Sequence, residues 1–223
     1  MLDALEIVAE RSQPVIAMSF EACDSVFRSK KYLNYQQSVG ANLRNPAHPV
    51  NHADRVSVGA RLFASYDRHI AYGALSPDGR GLTSYGKVMV SWRVTEDYLR
   101  KRISLLEENS YNFYTRHDLG HLGSIPPMGY RATWDDRAKL VGAKLGSFLT
   151  VSTGTAGLNA LVLRSGGSRG DDEFVEVTIY ADKGIDTLDV DRVLVQVAPS
   201  TSEEHRRWEI LQQSCRAQGV DCG

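Results

Sequence analysis

Glu176 is the residue whose type and setting carry the most chemical potential. It stands inside the run Asp171-Asp172-Glu173-Phe174-Val175-Glu176-Val177-Thr178-Ile179-Tyr180. β-Branched and aromatic residues dominate this run, so it reads as a strand with side chains alternating between two faces. Val175, Val177 and Ile179 share one apolar face, while Phe174, Glu176, Thr178 and Tyr180 share the other. A carboxylate set mid-strand among aromatics is either solvated on a one-sided sheet or held in a cleft for chemistry. Periodicity alone favours the solvated position, because antiparallel sheets commonly leave one face wet.

Other residue sets give weaker chemistry. His117 with His121, and His48 with His52, have the i, i+4 spacing by which a helix presents two metal ligands. Gly120 and Gly123 oppose a helix at the first pair, Pro49 lies inside the second, and no Glu completes a metallohydrolase motif. No metal site is assigned. There is no Gly-x-Ser-x-Gly elbow for a serine hydrolase, and Cys23 falls on an apolar helix stripe where thiols are inert. The glycine-rich stretch Ser165 to Gly170 lacks the Gly-Lys-Ser/Thr of a phosphate loop and reads as a hairpin connection.

Composition narrows the class. With 26 basic against 27 acidic residues, the net charge of −1 argues against a general nucleic-acid or membrane-surface footprint. A hydrophobic content of 42% supports a real core. No apolar run approaches the ~20 residues needed to span a bilayer. The start, Met1-Leu2-Asp3-Ala4-Leu5-Glu6, lacks a basic segment followed by an apolar one, so no signal peptide is expected. Cys23, Cys215 and Cys222 form no metal pattern and leave an odd thiol, which fits a reduced, cytoplasmic setting.

The elements that must position Glu176 follow from pattern. Residues 2–12 and 17–39 read as helices, the second with Phe20, Cys23 and Phe27 on one stripe. The prolines in Asn45-Pro46-Ala47-His48-Pro49 mark a connection, placing an edge between an N-terminal helical region, 1–50, and a main body, 51–223. Residues 55–66 are ambiguous between strand and helix. Lys87 to Val94 alternates as a half-buried strand, and Arg102 to Leu106 reads as another. Residues 111–132 read as a long ordered loop, and Thr133 as the cap of a helix. Phe148 to Val151 is strand-like, Asp191 to Val197 is a strand, and 203–213 is a final helix. Helices first and then a mostly β body describe an α+β fold with a mixed or antiparallel sheet.

Several short elements, taken in order, suggest more. His52-Ala53-Asp54-Arg55, Tyr72-Gly73-Ala74-Leu75, Ser84-Tyr85-Gly86-Lys87, Asn109-Ser110 and Asp172-Glu173-Phe174-Val175-Glu176 resemble an uncharacterised family of bacterial toxin or effector domains, over roughly 52–197. The chain departs from that family at Lys87, where Ser is usual, and at Tyr180-Ala181, where His-Gly is usual. The family is in turn similar to the ADP-ribosyltransferase superfamily. The resemblance implies a split antiparallel β core and NAD as substrate. Glu176 would be the catalytic carboxylate, with His52, Arg55, Tyr72, Gly73, Tyr85 and Ser110 around the dinucleotide. Arg55 would fork onto the pyrophosphate, and Tyr72 and Tyr85 would wall the nicotinamide.

A competing register sets Thr150-Val151-Ser152-Thr153-Gly154 against the Ser-Thr-Ser strand of the arginine-modifying branch, with Ser152 beneath the nicotinamide; a strand-to-turn junction is the plainer reading. The resemblance further implies a macromolecular target of protein type, an immunity protein or chaperone, and delivery by a specialised secretion system. The alternatives are another hydrolase acting in the same cleft and a non-enzymatic module gripping a partner through residues 111–132.

Overall fold

The short run Pro14-Val15-Ile16-Ala17-Met18 suits a pleated, doubly covered surface and forms the strand on which the sheet is built. The structure, a computed structural model, describes residues 1–45, 49–95 and 98–223, with the backbone alone for 49–52. The first elements are α1 (Leu2–Arg11), β1 (Gln13–Met18), α2 (Phe20–Ser29), β2 (Lys31–Tyr32), α3 (Tyr35–Gly40) and α4 (Pro49–Phe63). Next come β3 (Ile70–Ser76), β4 (Val88–Trp92), β5 (Ile103–Leu106), α5 (Ser110–Arg116), β6 (Arg131–Thr133) and α6 (Arg137–Leu145). The chain continues through α7 (Thr155–Val162), β7 (Leu163–Arg164), β8 (Glu173–Phe174), β9 (Glu176–Tyr180) and β10 (Ile185–Asp186). It finishes with β11 (Val190–Val195), α8 (Ser202–Gln218) and β12 (Asp221–Cys222).

Eight strands form one sheet in the order β12-β11-β4-β1-β3-β9-β5-β6, antiparallel throughout except for the β11–β12 pair. This is an α+β arrangement with a mostly antiparallel sheet. The two separate halves implied by the resemblance are not seen among the described residues, because β1 joins β4 to β3. Residues on both sides of position 50 therefore share one sheet. Two short ribbons, β2–β10 and β7–β8, stand beside it.

One face carries the main core. Ile16 and Met18 of β1, Val88, Val90 and Trp92 of β4, and Val177 and Ile179 of β9 pack there with Phe20, Cys23 and Phe27 of α2. The other face of the same strands presents Val15, Tyr72, Ala74, Glu176 and Thr178, as register pairs such as Ala74↔Glu176 and Tyr72↔Thr178 require. A second cluster, built by Val58, Leu62 and Phe63 of α4 with Leu106, Phe113 and Leu119, covers part of that face.

The structure corrects several local expectations. The helix read over 17–39 is the end of β1 followed by α2, β2 and α3. The Phe20, Cys23 and Phe27 stripe is real, but Ser19 caps α2 by accepting from Ala22 N at 3.1 Å, so the helix cannot extend back through the apolar run. Residues 55–63 are helical, in a segment that Pro49 opens at the first helical position, where its missing N–H costs nothing. Within 111–132, α5 and part of β6 take the two ends of the expected loop, and 117–130 is the loop itself. Thr133 ends β6 and bonds Asp136 Oδ2 at 2.9 Å, and the helix begins at Arg137. Residues 148–151 are not a strand: a 3-10 turn ends at Phe148, and Val151 is fully exposed. In β4 all five residues are buried, because a central strand between β11 and β1 is covered on both faces.

Candidate active site

Val175 is where the chain changes partners, and this sets up Glu176. β8 pairs with β7, and Val175 N then donates to Val162 O at 3.2 Å. Its carbonyl accepts from Leu75 N at 2.9 Å, and β9 inserts between β3 and β5. Glu176 opens β9 with Ala74 and Leu106 as cross-strand neighbours. The alternation holds, but the solvated position that periodicity favoured does not, because Glu176 is only 3% exposed. The covering α4–α5 cluster and the Tyr85 loop, invisible to a period-2 pattern, close that face.

Glu176 Oε2 accepts from Ser110 N and from Ser110 Oγ, both at 3.3 Å, while Oε1 is buried with no hydrogen-bond partner. Burial pushes the carboxyl up to about 8, against the lowering effect of the two Ser110 bonds and of the Arg131 charge. The group is therefore a protonated acid at neutral pH. A buried carboxyl with one satisfied oxygen and one orphaned oxygen is poised to meet a ligand hydroxyl or cation.

The carboxyl lies in the lining of a cleft of about 780 Å³, within the size range of small-molecule and nucleotide sites. Val15, Ala17, Gly73 and Ala74 contribute small side chains to the lining from the sheet. Gly73 is needed for packing: a Cβ there would lie 2.7 Å from Val15 O on β1. Tyr72 and Tyr85 line the cleft near Glu176, their phenols raised first by burial and then by the Glu176 charge. The Tyr85 hydroxyl accepts from Asn109 Nδ2 at 3.3 Å, and the Tyr72 ring meets Phe63 edge-on at 5.8 Å.

Arg55, from α4, lies over the Tyr35 ring at 5.1 Å, and Arg44 lies over the same ring at 5.3 Å. Arg169 lies over the Tyr85 ring at 4.7 Å and donates from Nε to Ser84 O at 3.3 Å. Among the described residues none of these three guanidinium groups pairs with a carboxylate. Stacked cations facing a concavity without a counter-ion are the usual furniture of an anion site.

Of the residues expected from the sequence, Glu176, Arg55, Tyr72, Gly73 and Tyr85 line this cleft, and Ser110 holds the Glu176 carboxyl. The backbone of His52 is in α4, and its side chain lies outside the described residues. Ser152 is not beneath this cleft: it sits in an exposed turn, 3.1 Å from Thr150 Oγ1. Lys87, the position that departs from the resembled family, ion-pairs with Glu204 at 2.8 Å and ties β4 to α8. Asp172 proves structural. Buried, it accepts from Ser84 Oγ, from Ser165 Oγ at 3.2 Å and from Gly166 N at 2.9 Å.

These Asp172 bonds pin the β7–β8 turn to the Tyr85 loop and so deliver Arg169, which sequence reasoning passed over as part of a hairpin connection. Arg44 and Tyr35 were also missed. Arg169 had one usable signal, a lone cation in a glycine-rich turn beside an acidic pair; Arg44 and Tyr35 had none.

Among the described residues, His117 and His121 have other partners than each other. His121 Nδ1 is 2.6 Å from Asp118 Oδ1 in an exposed turn, and His117 packs on the Phe113 ring. Glu107, Glu108 and His117 bring their ligand atoms within 4.8 Å of one another, but Arg116 already bridges the two carboxylates at 2.7 and 2.5 Å. His48 lies outside the described residues. Among the described residues no helix is long and apolar enough to cross a membrane. Comparisons with protein-family models, with curated proteins and with solved structures found no match for this chain.

Proposed function

We propose that the chain binds NAD in this cleft and breaks its nicotinamide–ribose bond, passing ADP-ribose to a macromolecular target or to water. The observation that carries this reading is the buried Glu176 carboxyl in a nucleotide-sized cleft with three guanidinium groups that no carboxylate neutralises among the described residues. Arg55 supplies a planar fork for the pyrophosphate. Tyr72 and Tyr85 offer apolar faces beside the carboxyl, suited to a flat cationic ring.

The chemistry explains why a carboxyl belongs there. As the glycosidic C–N bond breaks, its electron pair leaves with neutral nicotinamide and positive charge develops on the ribose. A carboxylate bonded to a ribose hydroxyl stabilises that charge. The acceptor's lone pair then forms the new bond to the anomeric carbon, and the acceptor loses a proton. Glu176 is protonated in the resting site, and a cationic nicotinamide close by favours its ionised form, so substrate binding itself readies the group. The resemblance set out from the sequence extends the proposal to a bacterial effector or toxin, delivered by a specialised secretion system and restrained by an immunity protein or chaperone.

The test is to incubate the chain with NAD and candidate target proteins, and to follow free nicotinamide by chromatography and target mass by spectrometry. Nicotinamide release that Glu176→Gln abolishes supports the reading. No release above the uncatalysed rate, with every target at its original mass, defeats it.

One observation favours a second reading, a non-enzymatic module. Leu122, Ile125 and Met128 stand almost wholly in solvent on the turn between α5 and β6, an unusual exposure for three large apolar side chains. In that case replacing all three by Ser removes biological activity, whereas Glu176→Gln leaves it intact.

A further inference from the structure

The cations of the cleft are strung out along it. Arg55 and Arg44 stack on the Tyr35 ring at 5.1 and 5.3 Å, and Arg169 stacks at 4.7 Å on Tyr85, which bonds Asn109, the neighbour of the Ser110 that holds Glu176. Arg169 therefore stands at the Glu176 end, while Arg55 and Arg44 share the Tyr35 ring in one lining with Lys31 and Tyr32 of β2. Arg28 is engaged by Asp24 at 3.0 Å, while Lys31, Arg44, Arg55 and Arg169 have no carboxylate partner among the described residues. Glu21 is the one lining carboxyl besides Glu176 among the described residues. The cleft thus holds an excess of two to three positive charges, depending on whether Glu176 is ionised.

NAD does not balance this excess. Its two phosphate charges less the nicotinamide cation leave about −1, whereas a phosphate monoester on the adenosine ribose adds about −1.5 to −2. With the scissile ribose at Glu176 and the pyrophosphate at Arg55, the adenosine ribose falls toward Arg44, which shares the Tyr35 ring with Arg55. We infer that the cleft takes a dinucleotide carrying a third phosphoryl group on its adenosine ribose, held by Arg44 and Lys31, in preference to the unphosphorylated dinucleotide. The inference rests on the dinucleotide reading above and adds the substrate form.

The experiment is calorimetric titration of the full chain with two matched pairs. The first is adenosine 2′,5′-bisphosphate against adenosine 5′-monophosphate, neither of which has a nicotinamide bond to break; the second is NADP against NAD. The phosphorylated member of each pair is expected to bind about tenfold tighter or more, the scale of one added charge-assisted contact. Lys31→Ala combined with Arg44→Ala brings the ratio close to one. Lys139→Ala, a charge removed from the exposed face of α6, leaves the ratio in place.

A ratio near one in the unaltered chain, or one that survives the double substitution, overturns the inference. Binding of NAD that is lost in Arg55→Ala then still supports the functional reading. No binding by any of the four compounds overturns both.

Discussion

Replacing Glu176 by Gln should make the protein more stable, and by an amount that depends on pH in a defined way. The carboxyl is 3% exposed, and burial raises it from 4.5 to about 8 in the folded chain. Between those two values the folded state holds the proton and the unfolded state has lost it. The unfolded state binds fewer protons in this window, so unfolding becomes easier as pH rises, by about 1.4 kcal/mol per pH unit. The penalty is absent below pH 4.5, grows through the window, and is constant above the folded value near 8.

Gln keeps the shape and an acceptor for Ser110 N but has no proton to lose. Every other titrating group is common to the two proteins and drops out of the difference. The variant should therefore gain on the order of 4 kcal/mol over the unaltered chain between pH 4.5 and 8, about ten degrees in Tm for a chain of this length. Paired urea or thermal melts at half-unit pH steps measure this directly. A stability difference that stays flat across the window means the carboxyl is solvated in the folded protein, and the description of the site falls with it.

Further outcomes follow from the packing and from the cations. Arg55→Ala should weaken nucleotide binding about 10- to 100-fold in a calorimetric titration with little change in Tm, because its only described contact is the stack on Tyr35. Gly86→Ala should destabilise by about 1–3 kcal/mol in chemical denaturation, since its new methyl would sit 2.3 Å from the Met18 carbonyl carbon, while Gly40→Ala, which meets nothing within 4 Å at the end of α3, should lose no stability and serves as the control. Asp172→Ala leaves Ser84, Ser165 and Gly166 N without their acceptor and should free the β7–β8 turn, read as faster limited proteolysis within residues 165–170 and weaker nucleotide binding through Arg169. Among the thiols, Cys222 should alkylate first in the folded chain: the Cys215 thiol donating to it holds it low, whereas burial pushes Cys23 well up.

The parts of the fold that were legible in the sequence are those fixed by local periodicity. The strand carrying Glu176, the strands around Val90 and Val193, the Phe20–Cys23–Phe27 stripe and the final helix all advertise their period. What was hidden depends on neighbours distant in sequence. β1 goes unread, its last two residues taken into the following helix, because a short apolar run has no period of its own, yet it is the strand that joins β4 to β3. Burial of Glu176 depends on α4, α5 and the Tyr85 loop folding over one face, which no single-strand pattern records.

The candidate site shows the same division. The resemblance named Glu176, His52, Arg55, Tyr72, Gly73, Tyr85 and Ser110; the His52 side chain lies outside the described residues, and the others line one cleft or, for Ser110, hold the Glu176 carboxyl. Arg44, Tyr35 and Arg169 come from segments whose composition says only turn or connection. The glycines of the two Tyr-Gly pairs have a specific structural cause. Gly73 and Gly86 both lie where β1 backbone approaches too closely for a Cβ.

The central claim is that the Glu176 carboxyl meets a ribosyl group in a cationic, nucleotide-sized cleft. The most direct measurement is single-turnover nicotinamide release with enzyme in excess over dinucleotide, run with the unaltered chain, Glu176→Gln and Glu176→Asp. Release is expected from the unaltered chain, slower release from the Asp variant with its shorter reach, and none from the Gln variant even though it still binds the dinucleotide. Equal release rates in all three proteins would contradict that claim.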